Sequence, residues 1–175
     1  MEFAGKKVLV FGTGISGIAA AKLLENVGAA VILFDGNREL DKKHVLENFE
    51  ADHMPELYVG ELPEKIRAGL DLVVLSPGVP TDLPFVNELR DEGLPIWGEI
   101  ELAYRCKKGD VLAITGTNGK TTTTALLGEI MKTTYPHVHV VGNIGIPYTG
   151  LVAEDTDDTV TVAEISSFQL ETTHE

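Results

Sequence analysis

At 175 residues, 43% of them apolar, the chain is long enough to bury a core and reads as one domain or slightly more. Its net charge of −13 repels nucleic acid and acidic lipid, and the Lys and Arg residues form no basic stripe. No apolar run approaches the ~20 residues of a membrane helix, Met1-Glu-Phe-Ala-Gly5 lacks a signal-peptide pattern, and the lone Cys106 cannot form an internal disulfide. A cytoplasmic, globular protein without membrane insertion is expected, with Cys106 as a small apolar filler near a helix end.

In chain order, 7–12 reads as a strand, 15–26 as a helix closed by Gly28, and 30–34 as a second strand. The first turn is Gly12-Thr-Gly14-Ile15-Ser16-Gly17, a G-x-G-x-x-G between strand and helix, with Asp35 ending the next strand. That geometry places pyrophosphate at a helix N-terminus and a ribose hydroxyl at the acid. Taken alone it favours NAD or FAD; an empty tight turn and another nucleotide, such as a UDP-sugar, are the alternatives.

Residues 72–75 form a buried strand that runs into Ser76-Pro77-Gly78-Val79-Pro80, at the carboxyl edge where open α/β sheets bind ligands. As a bare motif it is most simply a turn. A helix at 84–91, a short strand at 95–97 and a helix at 99–106 follow, and the basic turn 107–110 reads as a seam. Beyond it come a strand at 111–115, a glycine-rich loop, a helix at 121–132, and strands at 137–141 and 159–163. The alternation of strand and helix predicts an α/β fold with parallel sheets, a Rossmann-like domain at 1–95 and a second domain at 96–175. A phosphate-loop domain needs about five strands to cover its sheet, so a second domain with about three reads as unfinished or as leaning on the first.

The run Ala113-Ile-Thr-Gly116-Thr117-Asn118-Gly119-Lys120-Thr121-Thr122 passes from an apolar strand through glycines into a helix. Backbone N–H groups at such a helix start surround a triphosphate only where side chains do not intervene, which is what Gly116 and Gly119 provide. Lys120 is placed to meet the β/γ-phosphates and Thr121 to hold Mg²⁺. The general pattern wants glycine where Ile114 stands, so the loop is a variant form. A triphosphate site also shifts the first turn towards a UDP-sugar, because hydride-transfer enzymes seldom add one.

Glu164 closes an apolar strand, the place where phosphate-loop enzymes put the acid that holds Mg²⁺. Gly142-Asn143-Ile144-Gly145 suits either a turn or a substrate contact through the Asn amide. His137 and His139 have no third ligand at metal spacing, and the acidic run 154–158 is most simply a solvated loop.

Gly116-Thr-Asn-Gly-Lys-Thr121, Gly142-Asn-Ile-Gly145 and above all Glu164-Ile-Ser-Ser-Phe-Gln-Leu-Glu171 resemble the Mur ligases, ATP-dependent amide-forming enzymes of peptidoglycan synthesis. Ser76-Pro-Gly-Val-Pro80 and Gly98-Glu-Ile-Glu-Leu102 make the chain similar to the branch that adds D-glutamate to UDP-N-acetylmuramoyl-L-alanine (UDP-MurNAc-L-Ala). The resemblance implies a UDP-binding domain followed by the start of a P-loop central ATPase domain. It assigns Gly14, Ile15 and Ser16 to the uridine diphosphate, and Asp35, Gly36 and Asn37 to the uracil end, where the family often has Thr-Arg in place of Gly36-Asn37. Ser76, Pro77 and Gly78 are to line the nucleotide and Asn143 to reach the substrate. Gly116 to Thr122 are to hold ATP, with Lys120, Thr121 and Glu164 as catalytic groups and Thr121 and Glu164 on Mg²⁺. A monomer is expected that binds UDP-MurNAc-L-Ala weakly and ligates nothing by itself. A nicotinamide dehydrogenase domain and a simple P-loop kinase or NTPase are the alternatives.

Overall fold

The computed structural model describes residues 3–143 and 145–174, and the chain divides into two compact units between Glu99 and Ile100. The first unit holds β1 (Lys7–Phe11), α1 (Ile15–Asn26), β2 (Ala30–Asp35), α2 (Lys42–Leu46), β3 (Glu56–Val59), α3 (Glu64–Arg67), β4 (Leu72–Leu75), α4 (Pro84–Asp91) and β5 (Ile96–Gly98). Its five strands are all parallel, in the order β3-β2-β1-β4-β5. The strand order reverses at β1, so the carboxyl ends of β1 and β4 flank the crevice that such sheets use for ligands.

The sheet forms because its strands are apolar on both faces, the signature of parallel strands covered by helices. Leu9, Phe11, Ile32, Phe34, Val73 and Leu75 share one face and pack with Val86 and Leu89 of α4. By strand alternation Val8, Val10, Leu33 and Val74, all fully buried, point to the opposite face. Phe11, Phe34 and Phe85 form an aromatic cluster with ring centroids 4.8 to 5.9 Å apart. β5 pairs with β4 through Ile96, Trp97 and Gly98, which carries the first unit past residue 95, where the sequence places the boundary. Three short elements, α2, β3 and α3, stand where no element is predicted.

The second unit contains α5 (Glu99–Cys106) from its second residue on, β6 (Asp110–Ile114), α6 (Lys120–Lys132), β7 (His137–Gly142), β8 (Thr159–Glu164) and α7 (Ser167–Leu170). Three parallel strands lie in the order β6-β8-β7, and every residue of the central β8 is buried. α6 packs on β7 and β8, and a Cβ on its Gly128 would stand 2.5 Å from Val140 Cγ2, so a side chain there would force Val140 to move.

The acidic run 154–158 is not uniformly solvated. Asp155 is 5% exposed, its Oδ1 lies 3.1 Å from His139 Nδ1, and burial raises its carboxyl above the ordinary 3.8 against the pull of His139. Cys106 is half-buried at the end of α5, and burial pushes its thiol up to about 11, which keeps it protonated and unreactive. Among the described residues, no helix is long and apolar enough to cross a membrane.

Candidate functional site

The first candidate site is the β1–α1 turn. Gly12 takes φ +101°, and a Cβ there would stand 2.8 Å from the Ser76 side chain; the Ser76 hydroxyl donates to the Gly12 carbonyl at 3.1 Å. A Cβ on Gly17 would fall 1.9 Å from the Gly12 carbonyl oxygen, so this glycine is required by helix-on-strand packing. Gly14 differs: its φ is −71°, and an added Cβ would meet nothing within 4 Å. Neither strain nor a protein neighbour calls for glycine there, which fits a backbone left bare for a ligand at the N-terminus of α1.

In front of Gly14 lies a cleft of about 400 Å³ lined by Thr13, Gly14, Ile15, Ser16, Asp35, Ser76, Pro77 and Gly78 with Phe11, Gly12 and Val79. Ile15 is 80% exposed, unusual for a large apolar side chain at a helix start, and it offers the cleft an apolar wall. Gly36 and Asn37 sit in the exposed turn after Asp35, and the Asn37 N–H donates to Asp35 Oδ1 at 3.0 Å. Of the residues expected here, Asn143 alone belongs to the second unit.

The second candidate site is built by strand register. Ile114, Glu164 and Gly142 are neighbours across β6, β8 and β7, so the glycine-rich loop, the carboxylate and the Asn143 turn leave the sheet side by side at its carboxyl edge. Gly116 (φ +144°) and Gly119 (φ +79°) bend the loop into α6, and Thr117, Asn118, Thr121 and Thr122 are exposed around it. The first N–H groups of α6 have no partner within the helix, and its dipole favours an anion there. Lys120 lies back along the loop, its Nζ donating to the Gly116 carbonyl at 2.7 Å.

Glu164 is 2% exposed. Its Oε1 accepts from Asn143 Nδ2 at 3.2 Å, and the Asn143 N–H donates to the Glu164 carbonyl at 2.9 Å. Its Oε2 is buried with no hydrogen-bond partner. A buried carboxylate oxygen left unpaired is costly, and a divalent cation beside the loop would satisfy it, so the donor set fits Mg²⁺. Gly142 lets the turn close on this residue, because a Cβ there would stand 2.2 Å from the Glu164 carbonyl oxygen.

Sequence reasoning misses how the segment after Glu164 is held. Ser166 and Gln169 form a reciprocal helix cap, with Ser166 Oγ accepting from the Gln169 N–H at 3.3 Å and Gln169 Oε1 accepting from the Ser166 N–H at 2.9 Å. The S-x-x-Q spacing is the available signal. Glu101, fully buried on α5, accepts from Arg105 Nε and from the His174 N–H, both at 2.8 Å, which ties that segment down.

The family model described as Mur ligase MurD-like, N-terminal domain, matches residues 6–98, and the Mur ligase middle domain model matches 114–175. The UDP-N-acetylmuramoylalanine--D-glutamate ligase of Lachnoclostridium phytofermentans is 56% identical over 98% of this chain and 38% of its own length. That of Lachnospira eligens is 54% identical over 100% of this chain and 39% of its own. The chain thus spans about two fifths of the length of the curated relatives it matches. Among solved structures, a murein peptide ligase mpl from Psychrobacter arcticus superposes with TM-score 0.55 at 21% identity, covering 94% of this chain and 39% of that one. A pseudomurein peptide ligase type C from Methanothermus fervidus gives 0.50 at 24%, covering 93% and 33%. These two structures speak for the fold alone.

Proposed function

Because the chain belongs to the Mur ligase family, with a MurD-like N-terminal domain, we propose that it carries the UDP-substrate and ATP sites of an enzyme that joins D-glutamate to UDP-MurNAc-L-Ala. The observation that carries this reading is the partnerless, buried Oε2 of Glu164 at the sheet edge where the phosphate loop begins. A dehydrogenase domain has no use for such a pair.

A free carboxylate resists an amine until one oxygen becomes a leaving group; bound Mg-ATP would supply that activation, its γ-phosphoryl group passing to the alanyl carboxylate with loss of ADP, after which the amine of D-glutamate displaces phosphate to leave the amide. The residues of this chain serve that step in four ways. Gly14 and the first N–H groups of α1 hold the diphosphate of the substrate, with Ser76 fixing the turn from behind. Lys120 exchanges the Gly116 carbonyl for phosphate oxygens, so that its charge and the loop N–H groups offset the charge that develops during transfer. Thr121 and Glu164 hold the cation. Asn143 acts by orienting Glu164, since its amide and main-chain N–H both engage that residue.

Calorimetry of the chain with UDP-MurNAc-L-Ala, Mg-ATP and NADH in turn tests the reading. Heat of binding is expected with the first two ligands and none with NADH. Binding of NADH alone would overturn it.

A further inference from the structure

Thr13 stands between Gly12 and Gly14 and has no part in the chemistry above. It is 8% exposed and shares the cleft with Asp35. Its hydroxyl donates to Asp35 Oδ2 at 2.7 Å, and its main-chain N–H donates to the same oxygen at 3.1 Å. The Asn37 N–H donates to Oδ1 at 3.0 Å. A carboxylate offers about four acceptor directions, two on each oxygen. Oδ2 is therefore saturated, and Oδ1 has one direction left.

In this fold an acid at the end of the second strand ordinarily addresses the ribose of a dinucleotide. A ribose brings two neighbouring hydroxyls, and gripping both needs a free direction on each oxygen. We propose that Thr13 is a specificity-determining residue: its hydroxyl takes the last free direction on Asp35 Oδ2, which denies a ribose diol its second acceptor and leaves one site for a ligand with a single N–H donor. The imide of a uracil base has that single donor, so the inference rests on the UDP-substrate reading given above. Thr13 acts through Asp35, as a positioning residue. Its hydroxyl is held within the protein and competes with any ligand hydroxyl without an association cost. Removing it leaves Oδ2 with the main-chain bond only, one direction open, and a carboxylate freer to turn.

The test compares wild-type chain with Thr13→Val, Thr13→Ala and Thr13→Ser, each checked for folding by circular dichroism, against UDP-MurNAc-L-Ala by calorimetry and NADH by fluorescence. In Thr13→Val the preference for UDP-MurNAc-L-Ala over NADH should fall about tenfold or more, the scale of one hydrogen bond won or lost at each ligand. Thr13→Ala, which removes the same hydroxyl without adding bulk, should do likewise, and serves alone if the valine variant does not fold. Thr13→Ser keeps the donor and should keep the preference within about threefold, under 1 kcal/mol on the tenfold-per-1.4 scale. A parallel loss of both ligands with the ratio unchanged would mark a merely structural residue and overturn the inference alone. A wild-type chain that prefers NADH would overturn the inference and the UDP-substrate reading together.

Discussion

The two glycine-rich turns share one plan, strand into loop into helix, but differ in how their polar groups are satisfied. At the first turn the protein completes its own bonds: Ser76 closes on Gly12, and Thr13 and Asn37 close on Asp35. At the second, Lys120 is parked on a loop carbonyl and Glu164 Oε2 has nothing. A site whose side chains are already bound inward holds its arrangement before ligand arrives and meets it with the α1 N–H groups and the one open direction on Asp35 Oδ1. A site with a buried orphan oxygen is only as stable as its ligand makes it.

Substitutions that separate packing glycines from ligand glycines give the largest expected effect. Gly17→Ala forces a methyl onto the Gly12 carbonyl and should destabilise the first unit by about 3 kcal/mol or more, read as an early transition in urea. Gly14→Ala meets no protein atom, so the fold should stand while UDP-MurNAc-L-Ala binding drops at least about tenfold in calorimetry, one hydrogen bond's worth or more. Equal destabilisation by both would erase the contrast between the turns.

Next in size is ligand-linked stability. Mg-ATP at about 100 times its dissociation constant should stabilise the wild-type second unit by about 2.7 kcal/mol, and Glu164→Gln should abolish most of that gain without a comparable loss in the free protein. A Glu164→Gln chain that still gains full thermal stability from Mg-ATP would remove Glu164 from the cation site.

The smallest effect concerns Asp155. Its folded pKa is raised, so the folded state binds this proton more tightly than the unfolded state does. The contribution is present below the unfolded value near 3.8 and lost as pH rises through the raised folded value. Asp155→Asn, which stays neutral, should therefore gain stability relative to wild type as pH rises across that window, in paired urea titrations. A difference that stays flat with pH would mean that His139 fully offsets the burial.

The elements that carry this contrast were legible in the sequence, because strand runs and glycine turns are local signals; the bonds that make it were not. β1, α1, β4, α4 and both loops fall within a residue or so of their expected bounds. β3 escaped because Glu56-Leu-Tyr-Val59 is a half-buried edge strand of four residues, too short and too polar to show a run. α2 and α3, at five and four residues, are too short for a helical period to register. The contact of Asp155 with His139 joins it to another element, and the Asn143–Glu164 pair rests on β8 lying between β6 and β7. Neither can be read from a window along the chain, since each is fixed only by long-range pairing.

The placement of β8 also has a kinetic consequence. Among the described residues it follows β6 and β7 in sequence yet lies between them in space, so these two lack their shared neighbour until it arrives. During synthesis the phosphate loop and the Asn143 turn would both wait, exposed, for 159–164 to emerge. Loop, turn and carboxylate then meet in a single zippering event, and a pause in translation just before β8 would leave two unpaired strands open to aggregation.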